Sequence, residues 1–108
     1  MHSEHDKRLH EFMLCLDEKR YYDAHEALEA LWFPRRFEDD VQAHLLKGFI
    51  NASVSFELIK LGREEASKRA WKNYLKYRQL LYKVPSIHAN AYHTISRHLD
   101  MLYNLKQV

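Results

Sequence analysis

The residues best placed to do chemistry are His25, Glu26 and Glu29, in the stretch Tyr21-Tyr22-Asp23-Ala24-His25-Glu26-Ala27-Leu28-Glu29-Ala30-Leu31-Trp32. On a helix, residues four apart are neighbours, so His25 and Glu29 fall within mutual reach. An imidazole held by a carboxylate suits general acid–base work, with His25 as the base and Glu29 orienting it. Ala24, Leu28, Leu31 and Trp32 define the apolar side of this helix. His25 falls inside that arc and Glu29 at its edge, while Glu26 points roughly the other way. Further along, His44, Asn51 and Ser55 line up on one side of a largely apolar segment, and Arg78 lies about 40° from Tyr74 inside an apolar arc. A buried guanidinium needs a carboxylate, and Glu29 is the nearest candidate in kind. These positions predict a polar island of His25, Glu29, Asn51 and Arg78, with Tyr22, Trp32, His44 and Ser55 at its margin. The island reads in two ways, as a hydrogen-bond network fixing helix register or as a site for a small polar ligand. If it is sealed, loss of His25 should cost about 1–3 kcal/mol.

Other chemistries find less support. His25-Glu26 opens a zinc-protease pattern, but the second histidine it requires would stand where Glu29 is. Di-iron bundles use Glu-x-x-His repeats, and the chain contains none. Of the eight histidines, His2, His5 and His10 sit in or beside an N-terminus expected to fray. His88, His93 and His98 fall on different sides of the last helix. His25 and Glu29 are the nearest thing to metal donors, and neither a metal nor a cofactor is expected. There is no phosphate-cradling Gly-rich loop and no Gly-x-Ser-x-Gly elbow. Cys15, the single cysteine, falls beside Leu16 and reads as a small core residue.

The elements that must position these residues are helical. With two Gly and two Pro in 108 residues, 46% hydrophobic and 13% aromatic, the chain has a core but too few turn residues for a many-stranded β fold. We expect an all-α single domain over 1–108: a compact bundle of about five helices around a central buried one at about 38–61. The first helix runs from about Glu4 to Lys19 behind a Ser3 cap, and the second from about Tyr22 to Phe33, ending before Pro34. The third is apolar nearly all round, with Val41, Leu45, Phe49, Ala52, Phe56 and Ile59 on one face and Leu46, Ile50, Val54 and Leu61 on the other. It closes at Gly62 in a left-handed C′ position. Gly48, mid-helix, predicts a close helix crossing. The fourth helix, about Arg63 to Lys83, turns Ala66, Ala70, Tyr74, Tyr77 and Leu81 inward. The fifth starts behind a Ser86 cap and runs to about Leu105. Phe49, Ala52 and Phe56 should be among the most buried residues.

Charge is uneven. Residues 1–54 carry 11 acidic and 7 basic side chains, and residues 55–108 carry 4 and 10. Lys68, Lys72 and Lys76, with Trp71 and Tyr82 beside them, offer a face for RNA or single-stranded DNA, but a solvated lysine face is the commoner meaning, and nucleic acid is not the expected partner. Trp71, Leu75 and Tyr82 form a lateral apolar strip that suits packing on the fifth helix or on a second copy in a homodimer. No membrane span or signal peptide is expected, and one cysteine fits a reducing, cytoplasmic setting.

The stretch from Tyr21 to Trp32 resembles the domain of unknown function 309 family of bacteria and archaea, in which a Tyr-rich helix start leads into Ala-His-Glu-x-x-Glu-x-x-Trp. Leu46-Lys47-Gly48-Phe49-Ile50-Asn51-Ala52 is similar to that family's Gly-Leu-Ile-Gln segment, and Gly62 followed by Ala66 to its next turn. The resemblance covers about residues 12–80 and picks out His25, Glu26, Glu29, Trp32 and Gly48, with Asn51 where Gln is usual. The chain departs from it at Lys19, where Gly commonly precedes the Tyr pair, and at Arg63, where Asn often follows the Gly. The resemblance implies a helical fold on a central helix and supplies no activity. A polar pocket that binds or processes a small polar ligand, a non-catalytic interaction module and a nucleic-acid binder therefore stay open, in that order.

Overall fold

Helix caps are set by short polar side chains and by left-handed residues, and both devices are used here. In a computed structural model describing residues 3–84 and 87–108, helix α1 (Glu4–Asp17) begins where Ser3 Oγ accepts the Asp6 N–H at 3.1 Å. Helix α3 (Val41–Lys60) begins where Asp40 Oδ1 accepts the Ala43 N–H at 2.7 Å. That bond, reinforced by Arg35 at 2.6 Å, holds the Asp40 carboxyl below its ordinary range. Gly62 ends α3 at φ +75°, with Gly62 N–H bonded to Ile59 O and Arg63 N–H to Leu58 O, a Schellman turn. The same turn ends α1 at Lys19 (φ 59°) and α5 at Lys106 (φ 55°), where a side chain must occupy the left-handed region that glycine enters without strain.

Between these stops lie α2 (Tyr21–Trp32), α4 (Glu64–Arg78) and α5 (Ala89–Asn104), with short 3-10 turns at Phe33–Arg35 and Gln79–Lys83. Among the described residues there are five α-helices and no strand. The expected fourth helix is shorter than its apolar period suggested, because its last turn tightens to 3-10 geometry after Arg78. The Ser86 cap lies outside the described residues. The radius of gyration is 12.9 Å, matching about 13 Å for a compact chain of this length.

Helix α3 is the axis, packed between α2 and α4 and touched by α5. Phe49, Ala52 and Phe56 are fully buried. A Cβ built on Gly48 would lie 2.7 Å from Tyr77 Cβ, so the missing side chain lets α3 and α4 approach. The expected strip on α4 divides. Trp71 stacks on Tyr103 of α5, ring centroids 3.9 Å apart, and also on Phe56, and Leu75 joins the core margin, while Tyr82 is exposed. Cys15 is buried, and burial pushes its thiol pKa up. No described helix is long and apolar enough to cross a membrane.

Candidate functional site

Helix α2 buries Tyr21, Ala24, Ala27 and Leu28. Its apolar arc is therefore centred nearer Ala24 and Ala27 than the spacing of Ala24, Leu28, Leu31 and Trp32 predicted. That rotation moves His25 to the rim. Its side chain is 28% exposed and that of Glu29 is 41% exposed, and His25 Nε2 meets Glu29 Oε2 at 2.9 Å. The Tyr22 ring stands edge-on to His25 at 6.0 Å, and the nearby Glu26 carboxylate raises the Tyr22 pKa. Lys47 of α3 places Nζ 5.9 Å from the centre of the Trp32 ring, a cation–π contact between α2 and α3. The contact is an ion-pair distance that sets a carboxylate beside the His25 imidazole.

The other members of the expected island lie elsewhere. Arg78 pairs with Asp100 of α5 at 3.0 Å, not with Glu29. Asp100 also accepts the Tyr74 hydroxyl at 3.0 Å, and Tyr74 reaches Ser96 Oγ at 2.7 Å. Burial drives the Tyr74 pKa well up. Asn51 donates to the carbonyl of Lys47 in its own helix at 2.8 Å. Ser55 bonds Ser67 of α4 at 2.9 Å, buried between the helices. His44 pairs with Asp39 at 3.0 Å and lies parallel to Tyr77. A helical wheel shows that a polar group lies inward but not which neighbour it meets, so the single island resolves into a pair on α2 and separate bonds along the α3–α4 and α4–α5 seams.

Three pockets line other parts of the molecule, and none of the three touches His25 or Glu29. One of about 590 Å³ lies between α1 and α5, lined by Asp6, Leu9, Met13 and Ile95 among others. A second involves Asp17, His98 and Leu102, and a third the ends of α3 and α5. We call the partly exposed face that carries His25 and Glu29 the α2 shelf.

A second polar cluster escaped the sequence reading. His5, expected to fray, is packed: its ring stacks on His88 at 3.8 Å, and its Nε2 meets Tyr92 Oη at 2.8 Å and Gln42 Nε2 at 3.0 Å. Asp6 Oδ1 lies 3.3 Å from His88 Nδ1. A signal was present. His5 stands one turn before Leu9 on the buried stripe of α1, and His88 one turn before Tyr92 on that of α5.

No curated protein and no solved structure matches the chain. A family model matches residues 9–70, a span that takes in the whole of α2 and α3 with His25, Glu26, Glu29, Trp32 and Gly48. It leaves out His5, Asp6 and His88. The α2 shelf and the axis behind it thus lie in the part that places the protein in a family: the chain belongs to the Domain of unknown function (DUF309) family.

Proposed function

We propose that this protein binds a small polar ligand on the open face of α2, with His25 as proton acceptor, Glu29 orienting it, and Glu26 and Tyr22 beside them. The observation that carries this reading is the 2.9 Å His25–Glu29 pair, left partly open to solvent. A purely structural pair would be expected to fix a neighbouring helix, and among the described residues this one is an i,i+4 contact inside α2. Burial on a shelf is small, so the ligand is small and its affinity modest. Proton transfer on such a ligand is the chemistry the pair can supply. We place the protein in the cytoplasm, where its lone thiol stays reduced.

A second reading follows from Phe33 and Phe37, 50% and 88% exposed, with the Arg36 guanidinium 3.6 Å over the Phe33 ring. Exposed aromatics and arginine mark docking surfaces, and the face would then receive another protein. Nucleic-acid binding through Lys68, Lys72 and Lys76 would have the exposed Tyr82 to stack on but not Trp71, which Phe56 and Tyr103 cover.

Ligand-observed NMR of a fragment library of carboxylates, amines and nucleosides tests the first reading. Fragments that bind wild type should be lost in both His25→Ala and Glu29→Gln, with melting temperatures nearly unchanged. An absence of hits, or hits that survive both changes, would overturn it.

A further inference from the structure

We propose that His5, Asp6 and His88 form a binding site for a divalent first-row transition ion of the zinc type, tying the start of α1 to the start of α5. One ligand atom from each residue lies within 4.8 Å of the others, and all three residues are partly buried. Two imidazoles and a carboxylate are a donor set that zinc accepts, with a fourth tetrahedral position left for water. Asp6 Oδ1 and His88 Nδ1 are 3.3 Å apart. That is long for a charge-assisted hydrogen bond, but about the edge of a tetrahedron whose metal–ligand bonds are ~2.0–2.1 Å, and binding would part the stacked His5 and His88 rings from 3.8 Å to roughly 5 Å.

His5 supplies the independent observation. Its Nδ1 is buried and has no hydrogen-bond partner among the described residues. Tyr92 Oη and the Gln42 amide engage Nε2 whichever way the amide faces, so Nδ1 is the nitrogen left without a partner, as an unbonded N–H or an unused lone pair. A metal ion removes that cost: the Nδ1 lone pair goes to the ion and the ring proton stands on Nε2, where it donates to Tyr92 Oη or to the Gln42 carbonyl. Tyr92 and Gln42 thereby become the outer partners that orient a metal-bound histidine. Two helix N-termini and Arg35 bring positive potential to this end of the bundle. Asp6 supplies an opposing charge, and Arg35 is engaged by Glu38 at 2.9 Å and Asp40 at 2.6 Å.

Calorimetric titration of the untagged full chain with Zn²⁺ tests the site. One equivalent should bind, and His5→Ala and His88→Ala should each weaken it at least ~tenfold, the scale on which even outer partners act. His25→Ala and His98→Ala should leave the affinity unchanged. Absence of saturable binding, or binding equal in wild type, His5→Ala and His88→Ala, would overturn the proposal. Should His5→Ala fail to fold, His88→Ala carries the test, since His88 stands at the N-cap of α5, outside the core. Co²⁺ added to wild type gives a separate readout: an intense tetrahedral visible band is expected, and a weak octahedral one would count against the site.

Discussion

The α2 shelf and the α5 seam hold their polar groups by opposite means. On the shelf, His25 and Glu29 are four residues apart and meet within one helix, half in solvent. On the seam, Tyr74, Arg78, Ser96 and Asp100 come from two helices, and the Tyr74 hydroxyl is enclosed with two partners. The shelf pair forms once α2 forms, so it adds little to the fold and is free to serve a ligand. The seam network exists only in the folded bundle and selects the register of α5 on α4. Position within a helix therefore says less about a polar group's role than whether its partner is local or tertiary.

The contrast depends on α4 being held tightly to α3, and breaking that contact should have the largest effect. Gly48→Ala puts a methyl 2.7 Å from Tyr77 Cβ, an atom fixed to its backbone, so the helices must part. The gain in helix propensity, ~1 kcal/mol, does not offset the overpacking, and a net loss of about 2 kcal/mol is expected in urea denaturation. An unchanged midpoint would show that the crossing can open without cost.

Removing the seam's carboxylate comes next. Asp100→Ala leaves Arg78 without its ion pair and the Tyr74 hydroxyl with Ser96 alone. The expected loss is about 1–2 kcal/mol, discounted because Arg78 is 40% exposed. A loss below about 0.5 kcal/mol would make the seam no more demanding than the shelf.

How much of this was legible follows the same division. The five helices, the α3 axis, the Gly48 crossing and the Ser3 cap are set by period and local chemistry, and all could be read. The His25–Glu29 contact was readable because i,i+4 geometry fixes it. The partner of Arg78 was not, since Glu29 and Asp100 are equally acidic and only tertiary packing chooses between them. His5 stands near the chain's start, where fraying is the ordinary expectation, although its spacing from Leu9 extends the buried stripe. Arc placement on α2 failed by a fraction of a turn, enough to move His25 from interior to rim.

Lys19→Gly sharpens the local side of the comparison. Lys19 ends α1 at φ 59°, and the chain there sets the start of α2 two residues later. Relieving the left-handed strain should exceed the extra entropy of an unfolded glycine and stabilise by about 1 kcal/mol, raising the melting temperature by ~4 °C. A lower melting temperature would mean the lysine side chain contributes more than its backbone conformation costs.

The smallest effect is expected at the shelf itself. A sealed His25–Glu29 pair would make His25→Ala cost about 1–3 kcal/mol, because the carboxylate would be left unpaired in low dielectric. With Glu29 41% exposed, water takes the lost partner's place, and an exposed i,i+4 pair is worth only about 0.3–0.5 kcal/mol. Melts of wild type, His25→Ala, Glu29→Met and the double variant form a cycle whose coupling should fall in that range. The double variant should then fold almost as well as wild type while losing the fragments that wild type binds, because stability and recognition are separable at a local pair. A coupling above about 1 kcal/mol would show that the pair is held as the seam is held. The ligand reading would then have to explain why a structural contact stands open to solvent.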